Sequence, residues 1–280
     1  MPGIFLFLLA ACSGTQFIYN RLGTILPWYV DDYVELTGVQ ERQLDEALQP
    51  FLSWHRQREL PQYVALLDKL DTSLDQPLRP AAVSALYSDL ELAWLRLEQV
   101  SLEWLLDLGD ELSTEQVQEL LAYLQERQAE YEEEYLARSE EEYREDSYES
   151  FSDSLADYLG KLSREQRARL QQGNAALERS DAVWLQERAT WLDRLAVIME
   201  RQPGWQQQIR DAVARRGETV SPRYQRVYQH NLDVIFNIVA EVLNSRTERQ
   251  DRHLRAKLGR LKKDLQVLIA QGANTPTRTG

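Results

Sequence analysis

One helix-start motif, repeated four times, constrains the fold of this chain more than any other feature of its sequence. Thr37-Gly38-Val39-Gln40 leads to Leu44, Ser113-Thr114-Glu115-Gln116 to Leu120, Ser163-Arg164-Glu165-Gln166 to Leu170, and Thr247-Glu248-Arg249-Gln250 to Leu254. Each reads Ser/Thr-x-x-Gln-x-x-x-Leu. A leucine precedes the first three, at Leu36, Leu112 and Leu162. The pattern is that of a capping box: the hydroxyl accepts from a free backbone N–H of the first turn, and the Gln side chain reaches back to the N–H of the cap. Four helix starts are therefore expected. The intervals between the caps are 76, 50 and 84 residues, too unequal for a solenoid of fixed repeat.

The segments between the caps carry helical periodicity almost throughout, and no strand-like alternation of useful length competes. Pro61, Pro80, Pro203 and Pro222 stand where a proline opens a helix, the last with Ser221 as its cap. From about Pro80 a stripe of Leu86, Leu90, Leu97, Trp104 and Leu108 forms, with Ala93 and Trp94 in its middle. Trp184 and Trp191 are seven apart, hence on one face. Tyr228, Leu232, Ile235, Val239 and Val242 make one stripe and Leu254, Leu258, Leu261, Leu265 and Leu268 another. The expected fold is all-α, a multi-helix bundle of antiparallel helical hairpins, with the last two helices paired across Asn244-Ser245-Arg246. A single helical domain is expected over residues 17–270, with a disordered tail at 271–280.

With 45 acidic against 32 basic residues, the net charge of −13 argues against a nucleic-acid binder, whose phosphate contacts need surplus Lys and Arg. The acids concentrate between Glu126 and Glu149, where eleven of them stand among Tyr131, Tyr135, Tyr143 and Tyr148. Such a tract can be a cation-binding face or a docking strip, but a solvated helix pair broken near Ser139, its tyrosines turned inward, accounts for it more simply. From Arg246 to Lys263 there are eight basic residues and two acidic ones, so mutual docking of the two regions is a further expectation.

No metal spacing, phosphate-binding glycine loop, nucleophile elbow or dinucleotide fingerprint is present. The sequence therefore gives no reason to propose an enzyme, a metal or a cofactor. His55 and Glu59, four apart and flanked by Trp54 and Arg56, can pair as base and orienter, although a histidine beside a tryptophan is more often structural. Asp31 and Asp32 are an acid pair whose side chains diverge by about 100° on a helix. With Trp28 and Tyr33 these residues make up the candidate binding set: Trp28, Asp31, Asp32, Tyr33, Trp54, His55, Arg56 and Glu59. Trp28, Tyr29 and Tyr33 suit either a membrane interface or a core, and core is the stronger expectation. Pro27 is expected to kink or break their helix.

Leu9-Ala10-Ala11-Cys12 resembles the lipobox of bacterial lipoproteins, an apolar run ending in small residues and a cysteine. The run from Ile4 to Leu9 is far shorter than the roughly 20 residues a membrane span requires, so residues 1–11 read as a signal peptide, although Met1-Pro2-Gly3 lacks the usual positive charge. The resemblance implies a diacylglyceryl group on the Cys12 thiol, cleavage before it and acylation of the new amino terminus. Residues 12–16 then form a short tether. Ser13, in place of the aspartate that resembles an inner-membrane retention signal, points to the periplasmic face of the outer membrane.

With that segment, Tyr19-Asn20, Trp28, Asp31-Asp32-Tyr33-Val34, Leu44, Trp54-His55-Arg56, Glu59-Leu60-Pro61 and Tyr63 resemble a proteobacterial family of all-helical lipoproteins known as a domain of unknown function. The resemblance implies an envelope lipoprotein without an assigned reaction. Leu36-Thr37-Gly38-Val39-Gln40 and its counterparts are also similar to the L-T-x-x-Q motif of small periplasmic chaperones of the Spy and CpxP type, a likeness that shared helix capping alone would produce. The functional expectation is a lipid-anchored binding, scaffold or accessory protein with an envelope protein partner. A holdase-like chaperone is the alternative, and an envelope enzyme with dispersed catalytic residues comes third.

Overall fold

A computed structural model describes residues 14–273, which are all-α without a strand among them. In chain order the elements are α1 (Thr15–Tyr19), α2 (Leu22–Asp31), α3 (Gly38–Trp54), a π-helical turn (His55–Glu59), α4 (Leu60–Ser73), α5 (Pro80–Glu111), α6 (Thr114–Ala137), α7 (Glu140–Leu159), α8 (Arg164–Ala176), α9 (Asp181–Ile198), α10 (Trp205–Ala214), α11 (Arg216–Thr219), α12 (Pro222–Asn244) and α13 (Glu248–Ala273).

All four motif-encoded starts are present. Thr37, Ser113 and Ser163 cap α3, α6 and α8 with both halves of the capping box. Thr247 does the same for α13, its N–H donating to Gln250 Oε1 at 3.0 Å while its Oγ1 accepts from the Gln250 N–H at 3.3 Å. A fifth box, Ser139 with Glu142, opens α7 and makes the expected break near Ser139. Ser221 caps α12, and Pro80 opens α5. Pro203 lies just outside α10, which Gly204 caps. Pro61 stands in the first turn of α4, which follows the π turn without a break in the helical run.

Tertiary structure joins the caps two by two. Gln40 and Gln116 exchange amide hydrogen bonds, Nε2 to Oε1, at 2.9 Å in both directions. Each donates its second proton to the carbonyl two residues before the other's cap, Gln40 to Glu111 O and Gln116 to Glu35 O, both at 2.7 Å. Gln166 and Gln250 repeat the arrangement. They exchange bonds of 3.1 and 2.9 Å and reach Ser245 O and Lys161 O, again two residues before the opposite cap. Each Oε1 also accepts from its own cap N–H, so every hydrogen-bonding position of the four amides is filled. The intervals within a clasp, 76 and 84 residues, are nearly equal, and the 50-residue interval separates one clasp from the other.

Among the described residues, three hydrophobic cores lie along this framework. The first gathers Leu44 and Leu48 of α3, Leu106 and Leu108 of α5, Ile198, and Trp205 and Ile209 of α10. The second gathers Leu159, Leu170, Ile238 and Val242 with Leu254 and Leu258 of α13. The third packs Tyr19 of α1 and Leu60 against Leu261, Leu265 and Leu268. The 32 residues of α5, about 48 Å of helix, run from Ala82 and Val83 at the second core to Leu106 at the first.

Several expectations need correction. The last two helices are not a packed hairpin: α13 lies along α4, with further contacts to α7, α1 and the π turn, whereas α12 packs against α5, α8 and α9. Enclosed from several sides, α12 buries Val227, Phe236, Ile238, Ala240 and Val242 and leaves Tyr228 exposed, so the expected single stripe is too narrow. Leu90 of α5 is likewise exposed. The basic face of α13 does not meet the acidic tract. Arg255 bridges Asp71 at 2.9 Å and Asp75 at 2.8 Å, and Lys262 bridges Asp68 at 2.5 Å, all three acids on or just past α4. The tract pairs with its own surroundings: Arg138 with Asp146 and Asp181, Arg144 with Glu140. Tyr143 is buried, and Tyr131 and Tyr135 flank Trp184, as the inward-turned reading requires. Finally, α13 continues to Ala273, past the boundary expected at 271.

Candidate functional site

The candidate residues separate into two groups. The first is built where the π turn interrupts α3 and α4. Pro61 has no N–H to donate, and its ring crowds the carbonyl of the preceding turn. Just ahead of it the chain widens, and the Leu60 N–H bonds to His55 O in the i to i+5 register of a π-bulge. His55 and Glu59 both point inward from this turn.

His55 sits between two tyrosines from different helices. Its Nδ1 is 2.8 Å from Tyr19 Oη of α1, and its Nε2 is 3.4 Å from Tyr63 Oη of α4. The Tyr19 ring stacks on the imidazole, the Trp54 and Tyr63 rings meet it edge-on, and Phe51 closes a further side. A neutral imidazole has one donor and one acceptor, and a tyrosine hydroxyl can serve either. Burial lowers the His55 pKa from 6.5 to about 4; Glu59 opposes that shift and Arg56 adds to it. Burial likewise raises the Tyr19 hydroxyl to about 12, against the pull of Arg56, and pushes the Tyr63 hydroxyl up.

Glu59 does not orient His55, as base-and-orienter chemistry would require. Its carboxylate is held by a bidentate pair with Arg96 of α5, at 2.9 Å from Nε to Oε1 and 2.9 Å from Nη2 to Oε2. Arg56 lies over the Tyr19 ring at 5.0 Å and donates to Asn20 Oδ1 at 2.9 Å. Asn20 in turn donates to Gln271 of α13 at 3.2 Å, and Gln16 donates to Asp264 at 2.6 Å. This arrangement fastens α1 to the body. His55 and its tyrosines link α1 to the π turn and α4, Arg56 and Asn20 link it to the end of α13, and Glu59 ties the turn to α5.

The second group lies at the end of α2 and does not join the first. Asp31 ends the helix, Asp32 follows it, and both are exposed. Tyr33 is half-buried against Tyr123 and accepts or donates a 2.9 Å bond with Tyr29 Oη; burial, helped by Tyr29, raises its pKa. Trp28 is 71% exposed, so the expectation of a core role for it and for the exposed Tyr29 is overturned. Pro27 sits inside α2 without ending it. Of the residues that complete the His55 cluster, Tyr19 and Tyr63 stood among those carrying the family resemblance. Arg96, 37 residues beyond Glu59, has no local signal in the sequence.

Elsewhere a cavity of about 430 Å³ opens between α9 and α10, lined by Arg194, Val197, Ile198, Gln208, Asp211 and Arg215, on helices other than those around His55. Among the described residues no three or more His, Cys, Asp or Glu side chains are placed to hold a metal ion, and no helix is long and apolar enough to cross a membrane. Cys12 lies outside the described residues. Comparison with known families matches residues 32–225 to one described as a family of unknown function, DUF6279. No curated protein and no solved structure matches the chain.

Proposed function

We propose a function for this chain, which belongs to that family of unknown function, as a lipoprotein that acts by binding. Cys12 carries the lipid anchor and holds the protein on the periplasmic face of the outer membrane, where the helical body serves as a scaffold or accessory subunit of an envelope complex. The observation that carries this reading is the lipobox Leu9-Ala10-Ala11-Cys12 followed, after Ser13 and Gly14, by a helix bolted into the body through Tyr19, Asn20 and Gln16. An anchor joined so closely to a fixed helix positions the whole molecule, which suits a scaffold. Two or three acyl chains at about 0.8 kcal/mol per buried CH₂ make such attachment effectively permanent.

His55 serves here to position α1: it is buried, and both ring nitrogens face tyrosine hydroxyls. The holdase alternative draws support from the exposed Leu92, Leu95 and Leu105 of α5, apolar side chains that a client can cover. Metabolic labelling with a fatty acid tests the anchor, marking the wild type and not Cys12→Ala; equal labelling of both overturns it. In-cell cross-linking with mass spectrometry tests the scaffold role: a small set of envelope partners is expected, and many unrelated clients would favour the holdase.

A further inference from the structure

The two faces of α2 differ sharply. Its inner face packs through Leu26 and Val30 onto the first core, with Leu22 on the third, and Gly23 lies close to Leu52 and Gln49 of α3. Its outer face presents Ile25, Trp28 and Tyr29, related by three and four residues and so adjacent on the helix. They are 37%, 71% and 45% exposed, and Phe17 of α1 is 57% exposed with the Arg21 guanidinium 3.6 Å above its ring. Exposed large apolar side chains scattered singly need no explanation, but three on one helix face, with a fourth nearby, do.

Two further observations identify what covers this face. From Thr15 to Val30 the only charged residue is Arg21, in a chain with 45 acids; the acids begin at Asp31 and Asp32. The face is thus the part of an acidic protein that an anionic lipid surface does not repel. Cys12 also precedes Thr15 by only three residues, a reach of roughly 10 Å when fully extended, and α1 is held rigidly to the body beyond it. We infer that the outer face of α1 and α2 (Phe17, Arg21, Ile25, Trp28 and Tyr29) is a membrane seat that rests in the headgroup region of the bilayer holding the acyl chains. Trp and Tyr favour that depth because one end of the ring system is apolar and the other is polar, and Arg21 faces the lipid phosphates. This inference rests on the lipoprotein reading and adds orientation to it: the anchor and seat together fix the face turned to the membrane.

The test uses the full-length lipidated chain in vesicles of phosphatidylethanolamine and phosphatidylglycerol, with bromine placed either just below the headgroups or deep in the acyl chains. Bromine quenches nearby tryptophan, and the difference between wild type and Trp28→Phe isolates Trp28 from the other six tryptophans. Expected are quenching by the shallow label that exceeds quenching by the deep one, and loss of that difference in Trp28→Phe. A second variant, Ile25→Asp, removes the seat from an exposed position without touching the core and is expected to weaken the shallow quenching. Wild-type protein that floats with the vesicles but shows the same quenching as Trp28→Phe overturns the seat and leaves the anchor standing. Wild-type protein that does not float with the vesicles overturns both.

Discussion

Replacing Gln166 by leucine probes how much a cap glutamine contributes beyond starting its own helix. Gln166 is 0% exposed. The substitution preserves volume but removes the bond accepted from the Ser163 N–H and both amide bonds to Gln250, leaving one donor and one acceptor position of the buried Gln250 amide unfilled. A buried polar group left without a partner costs about 1–3 kcal/mol, so Gln166→Leu is expected to destabilise the protein by about 3 kcal/mol, or about 6 °C in Tm for a chain of this size. Gln250→Leu should cost a similar amount. The double variant leaves neither amide stranded, so it should cost about 2 kcal/mol less than the sum of the singles, the range measured for directly interacting residues. Urea unfolding followed by circular dichroism, with midpoint and slope fitted for all four proteins, reads this coupling. Additivity of the two single costs, or a single cost below about 1 kcal/mol, would refute the clasp as a cooperative unit and reduce the motif to helix capping alone.

Three other perturbations follow from the packing. Because His55 titrates at about 4 when folded and near 6.5 when unfolded, the unfolded chain binds the extra proton between those values; stability is full above pH 6.5 and falls by about 3 kcal/mol as pH drops to 4. His55→Phe should flatten that part of the profile, and an unchanged slope in chemical denaturation across pH 4–6.5 would refute it. Arg96→Met strands the buried Glu59 carboxylate and should cost about 3 kcal/mol, whereas adding Glu59→Gln should recover much of it; stability of the double variant no better than the single counts against the pair. A methyl group on Gly173 would lie 2.2 Å from Ile238 where α8 crosses α12, while one on Gly259 of α13 meets nothing within 4 Å. Gly173→Ala should therefore destabilise by about 2 kcal/mol and Gly259→Ala stabilise by about 0.5–1 kcal/mol, and thermal melts that move in the same direction for both would contradict the crossing.

By itself the sequence determined the all-α class, the four capped helix starts, the break at Ser139 and the buried stripe from Leu254 to Leu268, because capping and periodicity act within one or two turns and need no knowledge of the rest of the chain. It also bounded the chemistry, since charge and motif spacing are properties of the string. The candidate site was legible only in part. Trp54, His55, Arg56 and Glu59 stood out as a local cluster, but their partners Tyr19, Tyr63 and Arg96 come from other helices, and the exposure of Trp28 depends on which face of α2 meets α3. Tertiary structure alone decided that α13 lies on α4, that its Lys262 meets Asp68 and its Arg255 meets Asp71 and Asp75, and that Gln40 joins Gln116 while Gln166 joins Gln250. The physical reason is the same in each case. A capping glutamine satisfies its own helix with one lone pair of its amide oxygen, and nothing local says what will take the remaining lone pair and the two amide protons. That choice belongs to the helices that the three cores bring together.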